Sequence, residues 1–233
     1  MVLSDGGKQL KDIGLEGRPW GIVVVPDKEE ASVTLPDENF IQIINTSTMR
    51  AEQKIKVPVN CFGITLIDND IVLGNRGVIY IINRKGERLK TIKVGKGTMY
   101  PLYCGKDNTL YCCNADNHTF YGITQDGTML FSFCSGDFRR PIGEAAAANG
   151  NLYVIAYQSN NLHCFTPNGK HKGVMLKKED GLNTPYVIAF SKKSSKVIIV
   201  NRMEKSVLYI ETVLNYHLSL IFFQIFFLHI FLL

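Results

Sequence analysis

Paired metal-ligand cysteines are missing from this chain. Its six cysteines, Cys61, Cys104, Cys112, Cys113, Cys134 and Cys164, show no Cys-x-x-Cys and no paired Cys/His set at zinc-ligand spacing, which leaves no zinc framework. Most fall in apolar, strand-like runs, where a reduced thiol acts as a small hydrophobe. A glycine-rich phosphate loop and a nucleophile elbow are absent as well, which removes the commonest nucleotide and acyl-transfer motifs. Charge of one sign is scarce: the net charge is +5, from 26 basic and 21 acidic residues, too slight to imply nucleic acid without clustering. No secretory leader occupies Met1 to Lys11, so a reducing, cytoplasmic setting is expected. No cofactor and no metal is expected.

What is present is a repeat. Aligned on the first strand of each unit, Gly21 matches Gly63, Pro101, Gly143 and Val187, in steps of 42, 38, 42 and 44 residues. Second strands align at Ala31 to Leu35, Ile71 to Leu73, Leu110 to Cys113, Leu152 to Val154 and Val197 to Val200; third strands at Phe40 to Ile44, Val78 to Ile82, Thr119 to Ile123, Leu162 to Phe165 and Val207 to Ile210. Turn pairs recur at Lys85-Gly86, Asp126-Gly127 and Asn168-Gly169, because these residue types tolerate the positive φ of a tight hairpin. Four short strands per period of about forty residues predict an all-β fold: a β-propeller of four-stranded antiparallel blades.

The run Arg18-Pro19-Trp20-Gly21-Ile22-Val23-Val24, the later Leu152-Tyr153-Val154, the Pro167-Asn168-Gly169 turn and the stretch from Lys177 to Leu182 resemble the NHL-repeat propeller carried by tripartite-motif proteins. The resemblance implies a fold that closes with six blades, and a propeller that recruits a ubiquitination substrate or an RNA. The zinc-binding ubiquitin-ligase modules of that family have no counterpart here, so ubiquitin transfer would need another chain. The third unit departs from the pattern at Tyr100-Pro101-Leu102.

The strands add up to five blades' worth. Residues 1–211 are assigned to an incomplete propeller and residues 212–233 to an apolar tail. Either an N-terminal strand near Gly7 to Ile13 completes the last blade and closes a five-bladed ring, or the chain is an open piece of a six-bladed one. From Val213 to Leu233 there are 21 residues without a charge, 16 of them apolar. That suits a single membrane-spanning helix and a tail-anchored protein; a truncation product, or an apolar outer strand, would also read this way.

Catalytic residues are not assigned. The inner strands are apolar, at Val23 to Val25, Ile64 to Leu66, Leu102 to Cys104, Ala145 to Ala148 and Ile188 to Phe190, with only Glu144 adding a carboxylate. The expected site is instead the loop face, where Arg18, Arg76, Arg139, Arg140 and Arg202 are five of the eight arginines. Asn75, Tyr100, Asn117, His118 and Asn160 join them. Hydrogen-bonding and stacking groups together suit a protein partner or single-stranded RNA. The expected function is thus a non-catalytic binding module. An RNA-binding regulator and a propeller hydrolase or lyase are the alternatives, and a membrane partner follows only if the 213–233 tail is an anchor.

Overall fold

The computed structural model describes residues 2–3, 9–25, 28–57, 59–190, 196–202, 206–212, 218–224 and 231–232. Every sheet in it is built from short strands, and no α-helix occurs among the described residues. Two compact units divide the chain: residues 1–112, 123–129 and 229–233 form one, and residues 113–122 and 130–228 the other.

In the first unit, β1 (Val2–Leu3) pairs antiparallel with β2 (Gln9–Lys11). The first blade follows as β3 (Ile22–Val25), β4 (Glu30–Leu35), β5 (Phe40–Asn45) and β6 (Arg50–Lys56), an antiparallel meander in sequence order. The second blade is β7 (Gly63–Ile67), β8 (Asp70–Gly74), β9 (Arg76–Ile82) and the first part of β10 (Arg88–Cys104). At seventeen residues β10 is the longest strand. It runs on from an outer strand into the inner strand of the next repeat, so no loop intervenes and the repeat spacing is shortest there. Its register shifts between Lys93 and Thr98. There Gly77 and Gly95 take φ of 69° and 146°, and a Cβ on Gly77 would lie 1.7 Å from the Gly95 carbonyl oxygen; only glycine allows that approach. After β10 the sheet order continues with β11 (Leu110–Asn114), β12 (Thr119–Ile123) and β13 (Met129–Phe133).

The second unit carries two whole blades. One is β14 (Pro141–Ala146), β15 (Leu152–Ala156), β16 (Asn161–Phe165) and β17 (His171–Leu176); the other is β18 (Pro185–Phe190), β19 (Lys196–Asn201), β20 (Ser206–Thr212) and β21 (Leu218–Gln224). The last strand comes from the apolar tail. It pairs antiparallel with β20 from Ser206↔Gln224 to Thr212↔Leu218, so the fourth strand of this blade is supplied by tail residues and not by the N-terminal strand. No helix among the described residues is long and apolar enough to cross a membrane, and residues 213–217, 225–230 and 233, the remainder of the proposed anchor, lie outside the described residues. A final short strand, β22 (Phe231–Leu232), pairs parallel with β1.

Each meander buries its faces on a neighbour. In the first unit Ile41, Ile55, Ile64, Ile71 and Leu73 share one core and Ala31, Val33, Leu35 and Ile44 another. In the second, Ile155, Leu162, Leu176, Leu182 and Ile199 do the same. The recurring glycine at the head of the inner strands has a direct cause. A Cβ on Gly21 would stand 2.5 Å from the Phe62 carbonyl oxygen, and one on Gly143 3.1 Å from that of Tyr186. Adjacent inner strands therefore approach backbone to backbone at their heads. Thr34 ties the first of these junctions: its Oγ1 accepts from the Gly21 N–H at 2.8 Å and donates to the Phe62 carbonyl at 3.0 Å. The expected turns are present too, with Gly86, Gly127 and Gly169 at φ of 84°, 92° and 83°.

Candidate functional site

Strand register sets where the loop residues emerge. Pro141 pairs with Ala156 and Ala156 with Asn161, while Pro185 pairs with Asn201. The segments before each inner strand and between second and third strands therefore share one edge of each sheet. In the second unit this edge carries six of the expected residues, Asn117, His118, Arg139, Arg140, Asn160 and Arg202. Several of them are also structural ties. His118 and Asn160 sit at φ of 60° and 54°, the left-handed region that Asn and His tolerate better than most. Asn160 Oδ1 accepts from the Thr184 N–H at 2.6 Å, and the Thr184 carbonyl accepts from the Arg202 N–H at 3.0 Å. The Arg140 N–H lies 3.1 Å from His118 Nδ1, which is also 3.2 Å from the Ala115 carbonyl oxygen. The Arg139 N–H donates to Ser159 Oγ at 3.1 Å, and Asn117 Nδ2 to the Tyr121 hydroxyl at 2.7 Å.

The guanidinium groups have a different surrounding. Arg140 Cζ lies 5.9 Å above the Tyr157 ring and Arg202 Cζ 5.7 Å above that of Tyr186. The two rings meet edge to face, with centroids 6.4 Å apart at 77°. Arg139, Arg140 and Arg202 are exposed, and among the described residues no carboxylate pairs with any of them. The result is an Arg–Tyr–Tyr–Arg row that crosses from the loop edge of one sheet to that of the next.

Arg18, Asn75, Arg76 and Tyr100 belong to the first unit. Arg18 Cζ lies 5.4 Å from the Trp20 ring centre, and Trp20 stacks on Tyr100 at 5.7 Å with Phe62 edge-on to both. Asn75 Oδ1 accepts from the Arg76 N–H at 2.6 Å, and the Asn75 carbonyl from the Met99 N–H. The tyrosines of the second unit were not expected as site residues, yet the repeat carries a signal for one of them. The position before the aligned head residue is Trp20, Phe62, Tyr100 and Tyr186 in four of the five units.

Glu144, on inner strand β14, is the carboxylate that sequence reading set aside as alone. Its Oε2 accepts a long contact from Cys113 Sγ at 3.7 Å, and its buried Oε1 has no hydrogen-bond partner among the described residues. Burial pushes its pKa well above the usual carboxylate range, with the thiol contact opposing only in part. With Oε2 taken by the thiol contact, Oε1 is the oxygen left to carry the retained proton, and no acceptor faces it among the described residues. Cys113 itself is wholly buried.

A histidine pair lies elsewhere in the second unit. His163 is fully buried; its Nε2 is 3.3 Å from the Asp137 carbonyl and its Nδ1 3.1 Å from His171 Nε2. The carbonyl can only accept, so Nε2 is the donor, Nδ1 the acceptor, and His171 Nε2 the proton between the rings. Phe133, Phe138 and Phe165 pack around the pair, and burial lowers the His163 pKa to about 4. The arrangement holds the His163 imidazole neutral within an aromatic core. No group of three or more His, Cys, Asp or Glu suited to a metal occurs among the described residues.

No protein-family model and no curated protein matches the chain. Solved structures do. Selenomethionine-substituted virginiamycin B lyase from Staphylococcus aureus is 18% identical over 89% of this chain and 70% of that one, with a TM-score of 0.70. A streptogramin B lyase is 17% identical over 89% and 68%, also at 0.70. A protein of unknown function from Bacteroides caccae is 19% identical over 77% and 67%, at 0.57. At these identities the likeness shows the β-propeller fold, and it does not carry the tripartite-motif family. It also overturns the expected function. The similar solved propellers include lyases, which is at odds with a non-catalytic recruiting module and favours the lyase or hydrolase alternative.

Proposed function

We propose that this chain is the propeller of an enzyme of the lyase or hydrolase class, in which Glu144 delivers a proton to the departing group of the substrate. One observation carries the reading: a buried carboxyl on an inner strand, driven into its acid form, with Oε1 lacking an acceptor among the described residues. Buried polar atoms are almost always satisfied in folded proteins, and a carboxylic acid kept neutral by its surroundings is a common way to supply acid at neutral pH. The solved lyase propellers support the class, among them a catalytically inactive histidine-to-alanine variant of virginiamycin B lyase with quinupristin. The exposed arginine–tyrosine edge is the surface that holds the substrate. The NHL-type repeat, a finer reading of the scaffold, rests on the quoted sequence runs alone.

The test is mass spectrometry of quinupristin incubated with the protein and with Glu144→Gln. Expected is consumption by the parent chain, with products that sum to the substrate mass for a lyase and gain one water for a hydrolase. Glu144→Gln should lose at least about a hundredfold in rate at an unchanged melting temperature. No consumption by the parent chain, or undiminished turnover by the variant, overturns the proposal.

A further inference from the structure

We infer that the Arg140–Tyr157–Tyr186–Arg202 row binds a carboxylate-bearing aromatic group, the acidic aromatic end of a peptide-like substrate. The inference rests on the enzyme reading for the word substrate, but not for the chemistry of recognition. Two features of the row decide that chemistry. The first is the unpaired charge: Arg139, Arg140 and Arg202 are exposed and no described carboxylate neutralises them, while elsewhere in the chain Lys54 pairs with Glu16 and Arg84 with Glu30. Three guanidinium groups left open on the loop edges of two neighbouring sheets are electrostatically complementary to an anion.

The second feature is how the charges are held. A guanidinium held over a ring, as Arg140 is over Tyr157 and Arg202 over Tyr186, still carries an edge of N–H donors in fixed geometry. That edge is a planar fork matched to the two oxygens of a carboxylate. Between the two forks the tyrosine rings meet edge to face, and both are half-buried. A further ring can extend such a pair, contributing about 0.5–1.5 kcal/mol beyond its area burial. A ligand with a ring and a carboxylate a few bonds apart satisfies both features at once; an aliphatic acid satisfies one, and a neutral aromatic the other.

The row has a scaffold reason to be rigid. Thr184, beside Tyr186, is bonded through its N–H to Asn160 and through its carbonyl to Arg202, and the Arg140 carbonyl accepts from the Tyr157 N–H at 3.1 Å. The backbones carrying all four side chains are tied together, so little ordering is left to binding.

The experiment uses the full chain and three probes, N-acetyl-phenylalanine, its primary amide and N-acetyl-alanine, followed by NMR shift titration. N-acetyl-phenylalanine is expected to bind about tenfold more tightly than either of the others, and to weaken as salt rises. Arg140→Gln and Arg202→Gln should each lose about tenfold for it, whereas Arg50→Gln, on exposed outer strand β6, should lose nothing. If Arg140→Gln fails to fold, Arg202→Gln carries the test alone. Equal binding of the amide overturns the role of the arginines, and equal binding of N-acetyl-alanine that of the tyrosines. Tighter binding of AMP than of N-acetyl-phenylalanine replaces the carboxylate with a phosphate ligand. Measured in Glu144→Gln the same affinities are expected, so a failure of turnover with binding intact sinks the enzyme reading alone, and lost binding with turnover intact sinks this one alone.

Discussion

Gly21 and Gly143 stand at equivalent places in two blades, yet they have different room. A methyl at Gly21 would meet a backbone oxygen at 2.5 Å, whereas at Gly143 the nearest atoms are a carbonyl oxygen at 3.1 Å and the Ile155 Cδ1 at 3.2 Å. Backbone cannot yield as a side chain can. Gly21→Ala is therefore expected to lower stability by on the order of 3 kcal/mol and Gly143→Ala by about 1 kcal/mol, read from the midpoints of urea unfolding. His163 sets the pH response. Its folded pKa of about 4 lies below the ordinary value of 6.5, so the native state refuses a proton that the unfolded chain accepts. Its contribution is complete above about pH 6.5 and is lost as pH falls towards 4, an effect on the order of 3 kcal/mol. Replacing the imidazole, as in His163→Gln, should flatten the melting temperature between pH 6.5 and 4. A slope unchanged from the parent chain would place the acid sensitivity elsewhere. Asp126, held near a pKa of about 2 by Thr124 and Thr128, acts below that window.

Among the elements, β21 is the one that composition described in a different way. Residues 218–224 carry no charge, and a long uncharged apolar run is what a membrane helix needs. Hydropathy alone does not separate such a helix from a strand that covers an apolar sheet edge. In the fold β21 closes a seven-residue ladder on β20. Ending the chain at Thr212 would leave β20 as an open edge with unpaired backbone groups. The truncated protein is expected to self-associate in size-exclusion chromatography and to melt several degrees lower; a monomer of unchanged melting temperature would mean that β21 contributes nothing. The second and third strands of the blades were legible because they are short, mostly apolar and bounded by turn residues, and Asp126-Gly127 or Asn168-Gly169 can do little else than turn. Tyr157 and Glu144 were not legible as site residues, because a half-buried ring and a carboxyl with one oxygen left unsatisfied are properties of packing. Glu144 in particular is defined by what its oxygen lacks.

At the scale of the molecule, repetition made the architecture readable. Five copies of one meander fixed the strand order before any contact was known, and the shortest step, between Gly63 and Pro101, already held the information that one junction has no loop. Length could not tell which strand would fill the fourth place of the last blade, since that depends on pairing between distant segments. The seventeen-residue β10 has a further consequence, one for how such a protein can vary. Before β7, β14 and β18, at residues 59–62, 134–140 and 177–184, residues outside strands separate one blade from the next, and an added residue can be absorbed there. Along β10 a single added residue would turn every side chain downstream of it to the opposite sheet face, Met99 out of its core with the rest. Lineages of this protein should therefore drift in length at three of these joints and stay fixed at the fourth, which acts as a ruler for the blades on either side of it.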